Sequence, residues 1–359
     1  MGSVNIQSTR STLTSVDTTL SENITATQNY IPVASTTNFS TSIVAEIEST
    51  NEIVSFTDIS KNNYIRSEEF DNAGWIKNNC TITANSTADP NGDITADALI
   101  ENAGGGTKNV YQAKNFVTGT QYTISVFAKT NGRFLQLNTS VLLGGTTTFA
   151  NFNLTTGTLG TVGAGVDNAT IEDYGNGWFR CSLTSTSLTT STTAYNMCLT
   201  QNTSSSRNPS YTGDGTSGIF IWGAQIEEAS SPSLYLPTTT SPLEGLTGVT
   251  RGVNGTTAAS ASSGDSIQQL PYALGSLDMP VRLKAISVSP DGTGAARLTL
   301  CDNNGDTLCD VDIPNAKSYT LNMPEDGIIF PNGVFVSNTD NITAYTVYTE
   351  KYSGPGLTS

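Results

Sequence analysis

The chain has 359 residues, of which 16 are basic and 31 acidic, so its formal net charge is −15. Binding to nucleic acid or to an anionic membrane surface is therefore not expected, because both carry negative charge themselves. Histidine is absent, which excludes Ser-His-Asp and Cys-His catalysis and histidine-based metal sites.

The composition favours an all-β fold. Thr, Ser, Asn and Gly are abundant, turn residues recur regularly, and no stretch shows sustained helical periodicity. The length leaves room for two or three domains. No segment approaches the roughly 18 consecutive apolar residues that a membrane helix needs, so we expect no membrane insertion.

Residues 1–30 are polar with a weak strand pattern, and we predict that they form an N-terminal arm that docks the protein onto a larger assembly. The start of this segment lacks the apolar core of a signal peptide, so export by the secretory route is not expected. A virus particle released by lysis is one carrier that would bring such a protein outside a cell.

A small β module is interrupted in the sequence. Its first part, residues 31–63, ends in the alternating strand Glu52–Thr57, which has no partner nearby. Its second part, residues 239–268, contains the turn residues that should follow such a strand directly. We call the two parts together the base module. The arrangement predicts a domain, residues 64–238, inserted into a surface loop of a host domain.

The inserted segment consists of short strand patterns separated by Gly, Asn and Thr turns. In the strand Gln121–Ala128, alternate residues are apolar and share one face, which predicts a half-buried strand. Two antiparallel sheets packed face to face bury several such strands economically, so the segment predicts a β-sandwich.

Five motifs of this segment, in their order and spacing, resemble the jelly-roll, carbohydrate-binding-module-like domains of tailed-phage structural proteins. The motifs are IRSEEFDNAGW (65–75), DALIE (97–101), GTQYTISVFAK (119–129), GNGWFRC (175–181) and GDGTSGIFIWGAQIE (213–227). The resemblance implies a jelly-roll sandwich and a protein of the virion. Sugar binding is a weaker implication, since many such domains are structural.

The aromatic residues divide into two groups on this basis. Trp178 and Trp222 lie within the shared motifs, and we expect them to pack in the sandwich or cap it. A bound glycan would stack on aromatics of an exposed concave face or of loop tips. The candidates for that role are Tyr111, Phe134, Tyr174, Tyr195 and Tyr211.

A structural calcium ion is a further candidate ligand of the inserted segment. Asp89, Asp93 and Asp97 surround a Pro-Asn-Gly turn, and carboxylate oxygens suit calcium, although the spacing is not that of an EF-hand. The resemblance to jelly-roll domains implicates Glu68 or Glu69, together with Glu227, in such a site. No other cofactor is expected.

The base module itself resembles a short repeat of phage virion proteins. The shared elements are TTNF (36–39), EIVSF (52–56) and TRGVNGTT (250–257), and Ser260 stands near the place where the repeat usually has a histidine. We predict that Arg251 pairs with Glu52 or Glu48 to close the module. Gly252 and Gly255 should allow tight turns with positive φ.

Residues 269–359 predict a C-terminal β-sandwich of about seven short, closely spaced strands. Cys301 and Cys309 flank a turn in this segment, where a cross-hairpin disulfide is a geometric option, although a reducing cytoplasm would delay it. Cys80, Cys181 and Cys198 of the inserted segment are expected to be buried free thiols.

These patterns predict a non-enzymatic structural protein of a phage virion, either a tail or collar fibre-like component or a head fibre or decoration protein. Its expected partners are other virion proteins, further copies of itself, with a trimer favoured, and a host-surface polysaccharide. Two alternatives stay open. One is a tailspike-type enzyme that depolymerises glycans with a pair of carboxylates, and the other is a bacterial surface adhesin.

Overall fold

Strands make up nearly all the regular structure of this chain, as its composition predicts. The computed structural model describes residues 16–37, 39, 43–253, 256–269, 281–290, 296–301, 307–313, 319–322, 328–330, 335–340 and 342–351. Within these ranges the helical structure consists of α1 (Val141–Gly144) and one 3₁₀ turn (Gly145–Thr147). No helix of the described ranges is long and apolar enough to cross a membrane.

The strands are numbered in chain order, and those of the two six-stranded sheets described below pair antiparallel. They are β1 (Val16–Thr19), β2 (Ile31–Val33), β3 (Ile43–Ile47), β4 (Glu52–Phe56), β5 (Asp58–Asn62), β6 (Ile76–Asn78), β7 (Cys80–Thr87), β8 (Ala96–Glu101), β9 (Asn109–Tyr111), β10 (Lys114–Phe116), β11 (Gln121–Asn131), β12 (Phe134–Thr139), β13 (Phe149–Asn153), β14 (Thr158–Val162), β15 (Asn168–Asp173), β16 (Phe179–Thr186), β17 (Ser191–Thr193), β18 (Tyr195–Thr200), β19 (Gly218–Glu227), β20 (Leu243–Thr247), β21 (Ser266–Gln269), β22 (Val281–Pro290), β23 (Ala296–Cys301), β24 (Thr307–Ile313), β25 (Tyr319–Asn322), β26 (Ile328–Phe330), β27 (Phe335–Asp340) and β28 (Ile342–Lys351).

The chain divides into two compact units. One unit is Ser60–Gly245, and the other joins the described residues of Met1–Ile59 and Leu246–Ser359. The chain passes from one unit to the other within β5 and returns within β20. These two strands are neighbours in the sheet β2-β20-β5. The two crossings of the chain therefore lie side by side.

The two halves of the base module build one sheet and one core. In the sheet β1-β21-β3-β4, strand β21 comes from the second half of the module and lies between β1 and β3 of the first. Ile267 is opposite both Thr18 and Ile47. The core contains apolar residues from both halves: Leu20, Ile24, Ile31, Val33, Phe39, Ala45, Ile47, Val54, Phe56, Leu246, Ala261 and Ile267.

A buried ion pair connects the halves of the base module. Arg251 donates from Nε and Nη2 to the two carboxylate oxygens of Glu52, each at 2.7 Å. The Glu52 side chain has no exposed surface and also accepts hydrogen bonds from the amides of Gly252 and Ala259, both at 3.0 Å. Arg251 donates further to the carbonyl of Thr25 at 2.7 Å. Glu52, rather than Glu48, is thus the partner of Arg251.

The turn after Arg251 requires a glycine at position 252. Gly252 has a φ of +63°, and a Cβ atom there would lie 2.9 Å from the amide nitrogen of Ala258. Both the backbone angle and the close approach exclude larger residues. Gly255, for which the same freedom is predicted, lies outside the described residues.

The predicted boundary between an N-terminal arm and the base module is wrong. Strand β1 pairs with β21, and Leu20 and Ile24 are 1% and 2% exposed within the base core. Residues 16–30 therefore belong to the base module, because apolar side chains spaced too irregularly to predict a strand are nevertheless buried there. Residues 1–15 lie outside the described part of the chain.

The unit Ser60–Gly245 is a β-sandwich, which confirms the predicted fold class. Its sheets have the orders β15-β16-β11-β19-β8-β7 and β14-β13-β12-β18-β9-β6. Residues of both sheets share one core, and the predicted inward face of β11 belongs to it, namely Tyr122, Ile124, Val126 and Ala128. Cys80, Cys181 and Cys198 are buried free thiols, as expected.

The described residues of the C-terminal segment form seven strands close to the predicted positions. Strand β22 pairs with β25, β26 and β28 in one sheet, and β24-β23-β27 form another. Cys309 is opposite Leu300, and Cys301 is opposite Thr307, so the two cysteines are not direct cross-strand neighbours. The predicted disulfide stays a prediction.

The buried ion pair predicts a large effect of Arg251→Met on stability. The substitution removes the cation and leaves the Glu52 carboxylate buried without it, which should lower the free energy of unfolding at neutral pH by about 3–5 kcal/mol. Urea unfolding measures this. The control is Arg297→Met, which removes an exposed 3.6 Å pair with Asp312 and should cost under about 1 kcal/mol. Equal losses in the two variants would contradict the proposed role of Arg251.

The same ion pair predicts a pH dependence. Burial alone would raise the pKa of Glu52, but the hydrogen bonds from Arg251, Ala259 and Gly252 hold this pKa below its ordinary value. A carboxylate with a lowered pKa stabilises the fold above its unfolded pKa of about 4.3, and the stabilisation disappears as pH falls through the folded pKa. The stability difference between wild type and Arg251→Met should therefore shrink as urea unfolding is repeated from neutral pH to about pH 3. A difference that stays constant would contradict the prediction.

Candidate functional site

One outward face of the sandwich carries buried amides. In β12, Leu135 and Leu137 enter the core, so Gln136 and Asn138 point to the opposite face. Asn151 of β13 lies opposite Gln136 and points the same way. We call Gln136, Asn138 and Asn151 the amide row. All three residues are fully buried although they lie outside the core.

The loop after β18 covers the amide row. Asn151 donates to the carbonyl of Ser205 at 2.7 Å. Gln136 donates to the carbonyl of Ser206 at 3.0 Å and accepts from the amide of Asn208 at 2.6 Å. The chain's own backbone thus satisfies the amides that an open sheet face would offer to a ligand. A sugar could reach them only by displacing this loop and its hydrogen bonds.

Three of the predicted sugar-stacking aromatics, Tyr111, Phe134 and Tyr211, lie in this sheet or in the loop that follows β18. Tyr111 in β9 and Phe134 in β12 are half-buried. Tyr211 donates its hydroxyl to Glu101 at 2.7 Å, and the Lys108 ammonium lies 4.5 Å from the centre of its ring. Burial and the Glu101 carboxylate raise the pKa of Tyr211 well above its ordinary value. Its contacts serve to fix the loop.

Glu101 is the centre of that loop attachment. Arg133 donates from Nε to one of its oxygens at 2.8 Å and from Nη2 to the other at 2.5 Å. The backbone amide of Asp214 donates to Glu101 at 2.8 Å, and the Asp214 carboxylate accepts from Arg133 at 3.0 Å. Burial opposes ionisation of Glu101, but these donors hold its pKa below the ordinary value. The group is a satisfied structural ion pair.

The structure overturns the prediction for Tyr195. This residue is 1% exposed within the sandwich core, and its hydroxyl lies 2.7 Å from that of Ser185. Burial raises its pKa above the ordinary value. No ring face is available to a sugar, because strand alternation directs Tyr195 inward together with Met197 and Leu199.

An aromatic cluster lies on the outward face of the other sheet. It consists of Phe127, Tyr174, Trp222 and Tyr235, and we use the name aromatic cluster for these four residues. The Phe127 ring centre lies 4.8 Å from that of Tyr174, 5.4 Å from that of Trp222 and 5.8 Å from that of Tyr235. Phe127 and Trp222 are buried, Tyr235 is half-buried, and Tyr174 is 41% exposed. The cluster therefore has a buried base and tyrosines at the surface.

A β-bulge produces this arrangement. Phe127 is opposite Trp222 and Ser125 is opposite Gln225, so one residue of β11 faces two residues of β19 between these pairs. Gly223 lies in the bulge with a φ of +60°. A Cβ atom at this position would lie 2.9 Å from the Phe127 ring and 3.2 Å from the Tyr235 ring. The rings thus pack directly on glycine backbone.

Acidic residues lie beside the aromatic cluster. Tyr235 donates its hydroxyl to Glu68 at 3.1 Å. Trp222 donates its indole N–H to the Thr95 hydroxyl at 3.1 Å, which in turn donates to Asp89 at 2.5 Å. Burial raises the pKa of Glu68, and the nearby Asp89 carboxylate adds to this effect, whereas the Tyr235 hydroxyl opposes it. Carboxylate acceptors therefore stand next to ring surfaces.

The five predicted calcium ligands do not form one set. In the part of the chain that the structure describes, which includes all five, no group of three or more Asp, Glu or Cys residues is placed to hold a metal ion. Asp89 accepts hydrogen bonds from three backbone amides and from the Thr95 hydroxyl, and Asp97 accepts from the amides of Phe70 and Asn85. Glu227 accepts from the side chains of Gln225 and Ser233. Glu68 accepts from Tyr235, and Asp93 is exposed. Donors of the protein already bind the carboxylates of Asp89, Asp97 and Glu227, and a calcium ion at the five residues stays a prediction.

Sequence reasoning found part of the aromatic cluster. Tyr174 was a predicted sugar contact, and Trp178 and Trp222 were predicted to pack or cap. Trp178 is 1% exposed beside the cluster and donates its indole N–H to the carbonyl of Ala88 at 3.0 Å. Phe127 and Tyr235 were missed. A signal for Phe127 existed, because it is a large aromatic residue at an outward position of an alternating strand.

Comparison with known proteins adds no relative to this picture. No protein-family model matches the chain, and no curated protein is detectably similar to it in sequence. The site is therefore interpreted from its own geometry.

The packing of the aromatic cluster predicts the effect of Gly223→Ala. The new Cβ would force the Phe127 and Tyr235 rings apart in addition to straining the backbone, so the free energy of unfolding should fall by about 2–4 kcal/mol. Gly119→Ala is the matched control, since Gly119 has a φ of +80° and no atom within 4 Å of an added Cβ. Gly119→Ala should lower the free energy of unfolding only through backbone strain, by about 1–2 kcal/mol. Urea unfolding of both variants separates the two effects, and equal losses would contradict the packing argument.

Proposed function

We propose that this chain is a non-enzymatic structural protein of a tailed-phage particle and that it displays the sandwich Ser60–Gly245 on the particle surface. The observation that carries the proposal is the connection of the sandwich. The chain enters it through β5 and leaves it through the neighbouring β20, as a folded guest in a host loop requires. The sequence resemblance of both parts to virion proteins supports the same assignment.

Within this function, the aromatic cluster is the proposed contact for a host-surface glycan. Sugar-binding sites combine ring surfaces, which pack against the C–H face of a pyranose, with polar groups that fix its hydroxyls. Tyr174 supplies an exposed ring, and Glu68 supplies a hydrogen-bond acceptor that is connected to this ring through Phe127 and Tyr235. The opposite outward face is less suited, because a loop fills its amide row.

The carboxylates beside the cluster favour binding over cleavage. A glycan-cleaving enzyme needs a second carboxylate free to act as nucleophile or base next to an acid. Glu68, with its raised pKa, resembles such an acid. Its neighbour Asp89, however, is 5% exposed, and both of its oxygens already accept hydrogen bonds from the protein. We therefore propose display and recognition in preference to depolymerisation.

The particle assignment also sets the expected partners and location. Other virion proteins, further copies of the chain and a host polysaccharide are the proposed partners, with assembly in the host cytoplasm before release. Weak individual sugar sites are sufficient in this setting, because many copies on one particle bind together with high avidity. Tail, collar and head positions all provide such copies.

Sugar recognition predicts a selective effect of Tyr174→Ala. On arrays of host-surface polysaccharides, the full-length variant should bind about tenfold more weakly than wild type, which corresponds to about 1.4 kcal/mol of lost stacking. Tyr111→Ala, a tyrosine of the other sheet, is the control and should bind like wild type. Equal binding by wild type and Tyr174→Ala would exclude the aromatic cluster as the site.

The virion role has a separate readout. Mass spectrometry of purified particles should detect the chain in wild type and in Tyr174→Ala particles alike, with only adsorption to cells reduced in the variant. Absence of the chain from particles would contradict the structural role itself, whatever the polysaccharide arrays show.

A further inference from the structure

An exposed apolar surface lies at one corner of the sandwich, on different residues from the aromatic cluster. It consists of Val117, Val141, Leu142 and Leu188, which are 51%, 51%, 63% and 67% exposed. We call these four residues the apolar corner. Exposing large aliphatic side chains to water costs free energy, and their concentration at one place marks an interaction surface.

Hydrogen bonds hold the three segments of the apolar corner together. The amide of Leu188 donates to the carbonyl of Leu143 at 2.7 Å, which joins the β16–β17 turn to α1. The amide of Gly119 donates to the carbonyl of Ser187 at 2.8 Å, which joins the β10–β11 turn to the same place. Leu143 is 1% exposed and anchors α1 in the core. The surface is therefore preformed.

Few charged side chains lie around the apolar corner. The chain segments that carry its residues, 115–128, 134–166 and 181–206, contain no Asp, Glu, Lys or Arg, although the chain has a net charge of −15. Asp167 borders these segments, since its carboxylate accepts from the side chains of Gln121 at 3.0 Å and Thr186 at 2.7 Å. Residues 134–166 are the longest stretch of the chain without a charged side chain. Depletion of charge around an apolar centre is the compositional mark of a protein interface core.

We propose that the apolar corner is the surface through which copies of this chain associate. Two acidic chains repel each other when their charged surfaces meet, and desolvating those charges adds a further cost. At the apolar corner both costs are small, because a second copy brings the same uncharged segments. A second copy is thus an occupant whose charge pattern matches this surface. The proposal goes beyond glycan recognition, which uses the aromatic cluster and none of these four residues.

Sedimentation equilibrium of the full-length protein tests the proposal. Wild type should sediment as an oligomer. The variant Leu142→Glu with Leu188→Glu places two carboxylates in the contact and should sediment as a monomer. The control variant, Leu159→Glu with Val162→Glu, changes two apolar residues of β14 that are 41% and 40% exposed, and should keep the mass of wild type. All substituted side chains are exposed, so the unfolding midpoints should agree.

A second pair of substitutions separates lost burial from added charge. Leu142→Ser with Leu188→Ser removes apolar surface without introducing a charge, and the dissociation constant should rise at least about tenfold. A wild-type protein that stays monomeric, or an oligomer whose mass and affinity survive both corner variants, would overturn the proposal. Oligomers lost equally in the β14 control would overturn it as well, because the contact would then lie elsewhere.

Discussion

The interrupted base module depends on the buried ion pair between Glu52 and Arg251. These residues are 199 positions apart in the sequence, so forming their contact closes a very long loop. The entropic cost of closure grows only slowly with length, by about 0.6 kcal/mol for each doubling. A folded insertion reduces this cost further, since its two connections, β5 and β20, are neighbours in one sheet. The pair and the adjacent connections therefore support each other, and neither would specify the module alone.

A chain with few charges must satisfy its polar groups by other means, and the sandwich does so with its own backbone. The loop after β18 fills the amide row, and Ala229 accepts a hydrogen bond from the Thr123 hydroxyl at 2.8 Å on the opposite outward face. The buried amides of Gln136, Asn138 and Asn151 and the Thr123 hydroxyl are tolerated there because each of them finds a partner. The loops that make these hydrogen bonds cover much of both sheet faces. The aromatic cluster and the apolar corner stay exposed, and their chemistry differs.

Local patterns predicted the strands, and long-range pairing decided what lies on their surfaces. Alternation in Gln121–Ala128 identified both the strand and its buried face, since one face of a strand is a local property. Burial of Leu20 and Ile24 could not be predicted, because it depends on a strand more than 200 residues later in the chain. The bulge at Gly223 likewise depends on register between distant strands. The aromatic cluster was therefore recognisable only in part, through Tyr174 and the tryptophans. Alternation of Tyr195 with Met197 and Leu199, by contrast, is a local signal that Tyr195 is buried.

The two exposed surfaces of the sandwich are suited to different tasks because their chemistry differs. At the aromatic cluster, ring surface stands beside carboxylates, which suits a hydroxyl-rich ligand that stays partly hydrated. At the apolar corner, aliphatic side chains lie among chain segments with few charges, which suits a contact from which water is expelled. Because the residues of the two surfaces do not overlap, association of copies would leave each sugar site open. Several weak sites on one assembly would then bind a repetitive polysaccharide together, and their combined affinity would exceed that of any single site by orders of magnitude.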